Sequence, residues 1–308
     1  MHAHHMQRHL LRIAAFSFSL SLNLHAELSL PSIFGSNMVM QRNHANPVWG
    51  WAGKGEKITV SIGDQSHEAT AVADGSWQVT LKPMKATGKP LTLSVKGNNE
   101  LEFKNILVGE VWVCSGQSNM GMSVNRADDA DLEIMSAKHP NLRIISIPPI
   151  GTQQEQKDFK GQWEAVTPAN AGEFSAVGYF FGRQVHRSLD VPVGLIDNAW
   201  GGSACEAWIR RDLLEKCAAA KPYMKLWHKT EEEYDPAAGL AQYEQRLAKW
   251  KDRAKKLRAE KKAAPKPPRK PRNPLTGQHR PANLYNGVLK PIIGYGIRGA
   301  IWYQGENN

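Results

Sequence analysis

Three short polar turns carry the residue types that acyl-transfer chemistry needs. The first is Gly116-Gln-Ser118-Asn-Met120. It follows directly on an apolar, strand-like run and reads as the opening of a helix. That position exposes Ser118 as a nucleophile and lets backbone N–H groups face an oxyanion. The fifth residue is Met, so this is not the G-x-S-x-G elbow of α/β-hydrolases. Taken alone, a serine after a strand is more often a helix cap. The second turn is Trp200-Gly-Gly-Ser203. Its two glycines let the backbone approach a ligand closely, and Ser203 and Glu206 have the spacing of a capping box. A tight, well-capped turn accounts for the same residues. The third is Gln304-Gly-Glu-Asn-Asn308, in which the Asn308 amide can donate to an oxyanion and Glu306 can hold the loop by accepting hydrogen bonds.

The elements that must position these turns follow from periodicity. Residues 27–105 read as all-β. Lys57–Ile62, Trp77–Leu81 and Leu91–Val95 alternate, and turn clusters separate them, which predicts a small antiparallel sandwich. From residue 106 the pattern changes. Apolar runs at Ile106–Cys114, Leu142–Pro148, Val193–Asp197 and Ala300–Tyr303 alternate with helical segments at Ser175–Leu189 and Ala204 to about Ala219. Val177, Phe180, Phe181, Val185 and Leu189 lie on one face of the first helix. This is an α/β domain over 106–308 with a parallel sheet, and ligands in such sheets bind beyond the carboxyl ends of the strands. Residues 228–282 read as an insertion. Leu240, Tyr243, Leu247, Trp250, Ala254 and Leu257 form the apolar stripe of one amphipathic helix packed on a partner, and five prolines between Pro265 and Pro274 then give an extended basic arm.

The motifs resemble the SGNH hydrolase superfamily (a flavodoxin-like parallel sheet with helices) and, within it, the sialate O-acetylesterase family. The resemblance rests on Val111-Trp-Val-Cys-Ser-Gly-Gln-Ser-Asn-Met120, on Val193-Gly-Leu-Ile-Asp-Asn-Ala-Trp-Gly-Gly202 with Glu206-Ala-Trp208, and on Ile301-Trp-Tyr-Gln-Gly-Glu306. It implies that Ser118 attacks an acetyl ester on a sugar, with its own N–H, the Gly202 N–H and the Asn308 side chain as the oxyanion hole. No metal or other cofactor is implied. Gly121, Cys205 and Asn307 depart from the family pattern. The resemblance also implies a histidine base in a late Asp-x-x-His segment. The only such segment here is Asp64-Gln-Ser-His67, in the β-rich lead, and reads as coincidence. The expectation is that the α/β sheet is incomplete at its C-terminus, with an exposed apolar edge, and that this chain is the inactive front part of a longer enzyme. The alternatives are a secreted glycan-binding protein on the same fold with a degraded site, and a cell-wall module built on residues 27–105.

Composition bounds these readings. The 308 residues carry a formal net charge of +10, but residues 246–272 hold 13 Lys and Arg against two acids. The rest of the chain is therefore near neutral, which argues against a nucleic-acid partner and leaves contact with anionic glycans through 246–272 as an expectation. Three cysteines, Cys114, Cys205 and Cys217, neither staple a chain of this length nor fit a zinc pattern, and read as small buried residues. Residues 1–26 read as a secretory signal: Arg8 and Arg12, an apolar run from Ile13 to Leu22, and Ala26 at a plausible cut. That run is shorter than the ~20 residues a membrane helix needs. The expected location is secreted or periplasmic.

Overall fold

The computed structural model describes residues 27–306; the expected signal segment and Asn308 lie outside the described residues. The lead contains β1 (Val39–Gln41), β2 (Asn46–Trp51), β3 (Lys57–Ile62), β4 (Gln65–Thr70), β5 (Ser76–Leu81) and β6 (Thr87–Lys96), and runs into β7 (Glu100–Gly116). β3 pairs antiparallel with β4 and β6, and β6 with β7, while β2 and β5 form a separate two-stranded antiparallel sheet. The inward residues of both sheets, Ile58, Val60, Leu93 and Val95 on one and Val48, Val79 and Leu81 on the other, lie in one buried cluster. This is the two-layer packing that alternating strands require.

β7 is the axis of the molecule. Its first half closes the lead sheet against β6, and Leu107–Gly109 pairs parallel with β1. Its second half is the centre of the parallel sheet. The change of pattern at residue 106 therefore falls inside one strand, just after Asn105, which takes a left-handed φ of 58° that asparagine tolerates. The later elements are α1 (Ala130–Ser136), β8 (His139–Ser146), β9 (Glu164–Val166), α2 (Ala176–Leu189), β10 (Val193–Asp197) and, after the helical insertion, β11 (Gly299–Tyr303). β10 and β11 flank β7 in parallel, β8 lies parallel beyond β10, and β9 closes the far edge antiparallel. At the other edge β11 pairs with β7 alone among the described residues, and its Trp302 and Tyr303 are about half exposed.

Helix α2 is capped by Ser175, whose hydroxyl accepts from the Gly178 N–H. Its expected face meets the sheet: Val177, Phe180, Phe181 and Val185 pack on the cluster of Leu142, Val193 and Leu195, and Phe181 stands edge-on to Trp112 with ring centroids 5.0 Å apart. Phe180, Phe181 and Val185 are only half-buried and Leu189 is exposed, whereas Gly178, Tyr179 and Gly182 are buried. Glycine lets the helix sit directly on the sheet: a Cβ on Gly182 would stand 2.7 Å from Leu195 Cδ1.

The segment expected as one helix from Ala204 to Ala219 is broken. A 3-10 turn covers Cys205–Trp208, followed by α3 (Arg211–Lys216), a second short turn and α4 (Lys221–Glu233). The insertion helix is α5 (Pro236–Ala259). Along its stripe Ala254 is buried, Tyr243, Leu247, Trp250 and Leu257 are half-buried and Leu240 is exposed. Its partner is the proline-rich arm itself. Trp250 Nε1 donates to the Pro265 carbonyl at 2.7 Å, and Pro271 reaches back to Gly239. The arm runs antiparallel along the helix that precedes it.

Candidate active site

The three polar turns lie side by side because β11, β7 and β10 are neighbours with aligned carboxyl ends: Cys114 pairs with Asp197, and Gly116 with Tyr303. The backbone stitches them together. The Gln117 N–H donates to the Tyr303 carbonyl at 2.8 Å, and the Trp200 N–H to the Gly116 carbonyl at 2.9 Å. Gly116 has no substitute there. Its φ is +140°, and a Cβ would stand 2.0 Å from the Tyr303 oxygen.

Ser118 opens no helix. Residues 117–121 form a turn closed by the Gly121 N–H on the Gln117 carbonyl at 2.9 Å. Tertiary contacts hold this turn. Glu306 accepts from both Gln117 Nε2 and Asn119 Nδ2, so a carboxylate from the β11 turn clamps the residues on either side of Ser118. From the other flank, Ser175 Oγ donates to the Met120 carbonyl at 2.6 Å, which ties the turn to the cap of α2. Ser118 itself is exposed, and among the described residues no side chain is hydrogen-bonded to its hydroxyl.

The second turn faces the first. A Cβ on Gly201 would stand 3.4 Å from Ser118 Cβ, in van der Waals contact with it. Gly202 follows with a φ of +69°. Ser203 is not the cap of the next element, since Ala204 holds that position. The Ser203 hydroxyl instead accepts from Trp208 Nε1 at 3.0 Å, and its carbonyl accepts from Gln304 Nε2 at 3.2 Å. The candidate oxyanion donors Ser118 N–H and Gly202 N–H thus belong to adjacent, cross-linked turns.

Asp197 and Asn198 fall within the Val193–Gly202 motif, but the sequence assigned no role to either of them or to Gln278. Asp197, at the carboxyl end of β10, is held by burial at a pKa of about 6, although N–H donors from Ala199 and Ser175 pull it the other way. Asn198 is buried beside it. Gln278 comes from the loop after the basic arm. Its Nε2 lies 3.6 Å from the Cβ position of Gly202, and its carbonyl accepts from the Ala204 N–H at 3.2 Å. The Asn273-Pro274 pair marks a turn there, but only tertiary structure places it against the site.

The histidines fall elsewhere, with one exception. His67 pairs with Gln65 on β4, the outermost lead strand, so Asp64-x-x-His67 lies in the β3–β4 hairpin. His139 begins β8, and His186 Nδ1 is hydrogen-bonded to the carbonyl of Val191, just before β10; both sit at the amino ends of the strands, opposite Ser118. His228 pairs with Glu215. His279 is the exception, since its loop packs on the Gly202–Ala204 turn.

Cys114 is buried beneath the site, and burial pushes its thiol far up; Cys205 is half-buried and Cys217 exposed. Among the described residues no group of three or more His, Cys, Asp or Glu is placed to hold a metal ion, and no helix is long and apolar enough to cross a membrane.

Comparison with known proteins bears on the same residues. The family model for carbohydrate esterases described as sialic acid-specific acetylesterases matches residues 108–263. The chain is 30% identical over 297 residues to the sialate O-acetylesterase of Homo sapiens, covering 90% of this chain and 48% of that protein. It is 30% identical over 300 residues to that of Rattus norvegicus, covering 90% and 52%. A crystal structure of a carbohydrate acetylesterase from Xanthomonas citri superposes with a TM-score of 0.70 at 31% identity, over 92% of this chain and 52% of that one. The chain thus spans about half the length of the curated relatives it matches. The likeness covers the lead strands and the parallel sheet as well as the turn that carries Ser118, and on these grounds the chain belongs to the carbohydrate esterase family of sialic acid-specific acetylesterases.

Proposed function

We propose that Ser118 is the nucleophile of a carbohydrate O-acetylesterase. Ser118 Oγ attacks the carbonyl carbon of an acetyl ester on a sugar hydroxyl. The oxyanion is met by the N–H groups of Ser118 and Gly202 and by the Asn308 amide, each donor worth about 3 kcal/mol of barrier. The tetrahedral intermediate collapses, the sugar oxygen leaves with the proton taken from Ser118, and an acetyl-serine remains. Water then releases acetate and restores the serine. The observation that carries this proposal is the exposed Ser118 in the turn that follows the central strand, with the ends of both neighbouring strands hydrogen-bonded around it.

The proton needs a base. We assign it to a histidine outside residues 1–308, because His139 and His186 lie at the opposite ends of the strands, His44 lies in the β1–β2 turn, which is hydrogen-bonded to Gly109, and His67 and His228 are engaged elsewhere. Residues 1–308 alone are then nearly inactive. A second reading makes His279 the base, and the packing of its loop on the turn after β10 favours it. The test is hydrolysis of p-nitrophenyl acetate by residues 1–308 and by a version extended through the downstream reading frame, each beside Ser118→Ala and His279→Ala. Activity only in the extended form, silenced by Ser118→Ala, supports the external base. Activity of residues 1–308 that is lost in His279→Ala supports the second reading. Activity that survives Ser118→Ala overturns the nucleophile assignment. Export guided by residues 1–26 and contact with anionic glycans through residues 246–272 belong to the same proposal. The second predicts salt-sensitive glycan binding that deletion of 246–272 removes.

A further inference from the structure

The loop from Asn273 to Asn283 lies outside the residues matched by the family model, yet its backbone is anchored against the turn that faces Ser118. Its anchors come from three directions. The Ala204 N–H donates to the Gln278 carbonyl at 3.2 Å, and the Tyr223 hydroxyl of α4 donates to the His279 carbonyl at 2.9 Å. Arg280 Nε donates to Glu231 at 2.8 Å, and the same carboxylate takes a bidentate pair from Arg211 at 2.7 and 3.0 Å, which locks the loop to α3 and α4. Within the loop, Asn283 Nδ2 donates to the carbonyls of Leu275 and Gly277. The Gln278 side chain takes no part in this framework. Its amide instead stands 3.6 Å from the Cβ position of Gly202, in the turn that faces Ser118.

We propose that Gln278 forms a saccharide subsite, donating to and accepting from a hydroxyl of the sugar that carries the acetyl group. This rests on the assignment of Ser118 as the esterase nucleophile. The chemistry fits: a carboxamide offers one donor and one acceptor group on a neutral head, as a sugar hydroxyl does. The fixed backbone of the loop holds the root of the side chain at the turn after β10, so only its own rotamers are ordered when the sugar binds. Gln278 therefore reads the alcohol side of the ester, while the oxyanion donors read the acyl side. The helical insertion has a role in this arrangement, since α4 and the returning arm carry and fix the loop.

The test compares two substrates in the form of the enzyme that shows Ser118-dependent turnover. p-Nitrophenyl acetate has no sugar hydroxyl, whereas O-acetylated sialic acid does. Gln278→Ala should lower kcat/KM on O-acetylated sialic acid about tenfold, mainly through KM, and leave p-nitrophenyl acetate within about twofold. The Ala204 bond uses the backbone of residue 278, so the thermal midpoint should not move. Equal losses on both substrates, or no loss on either, overturn the proposal. Turnover that persists in Ser118→Ala fails separately, as a failure of the nucleophile assignment. Binding gives a readout without turnover: quenching of tryptophan fluorescence by O-acetylated sialic acid, titrated into Ser118→Ala with and without Gln278→Ala. About tenfold weaker binding in the double variant supports the subsite, and equal affinity, or no binding to either, overturns it.

Discussion

Replacing Asp197 by asparagine should stabilise the protein at neutral pH and make its stability less dependent on acid. The carboxyl sits at the end of β10, between the central strand and the Gly201–Gly202 turn, and burial raises it from an ordinary 3.8 to about 6. For an acid, a raised folded value means that the native state holds the proton more tightly than the unfolded chain. Stability is therefore highest below about pH 4 with respect to this group and falls as pH rises to about 6, where the carboxylate is ionised in both states. At 1.36 kcal/mol per pKa step, the full penalty is about 3 kcal/mol above that window. Asparagine keeps the shape and one acceptor for the Ala199 N–H, which donates to Asp197 at 3.4 Å, and carries no charge. Urea unfolding followed by tryptophan fluorescence gives the comparison. Asp197→Asn should exceed the unsubstituted protein by about 2–3 kcal/mol at pH 7.5 and by about 1 kcal/mol at pH 4.5. A variant that is less stable at pH 7.5, by the same margin at both pH values, would refute the reasoning. The N–H groups of Ala199 and Ser175 would then compensate the buried charge in full.

The clamp on the Ser118 turn and the contact beneath it give two further expectations. Glu306→Ala leaves Gln117 and Asn119 without their shared acceptor and should lower Ser118-dependent turnover of p-nitrophenyl acetate about 10- to 100-fold, with a small change in thermal midpoint; unchanged kcat would show that the turn holds without it. Gly116→Ala forces a Cβ to within 2.0 Å of the Tyr303 oxygen at a positive φ, and should cost at least about 3 kcal/mol in urea unfolding; a cost below about 1 kcal/mol would mean that β11 gives way freely.

The strands that carry the site were legible because each is a short apolar run ending in a polar turn, and β10 coincides with the expected Val193–Asp197. The role of Glu306 as an acceptor that holds its loop was also legible, since a carboxylate among amides has little else to do. Which turns are neighbours was not, because adjacency of β11, β7 and β10 is a matter of sheet order. The turn at Ser118 was misread as a helix start because its cohesion comes from Glu306 and Ser175, remote in sequence. The apolar face of α2 was legible, but its closest approach to the sheet was not. Hydrophobic periodicity sees Phe180 and Phe181, but close approach to the sheet is made by Gly178 and Gly182, which carry no apolar side chain. The partner of the α5 stripe was hidden because the proline-rich arm that covers it looks polar and extended. Gln278 was missed because a side chain 76 positions after Gly202 gives no local sign of where it ends up.

The length of β7 has a consequence during synthesis. Its first half can pair with β6 as soon as it leaves the ribosome, since the hairpin partner precedes it. Its second half must wait for β10, which begins at Val193, about 80 residues later and so about 4–16 s at ordinary elongation rates; β11 arrives last of all. For that interval Val111, Val113 and Cys114, buried in the finished molecule, have neither strand neighbour to cover them. The nascent chain therefore carries an apolar strand with both edges open until β10 and β11 arrive.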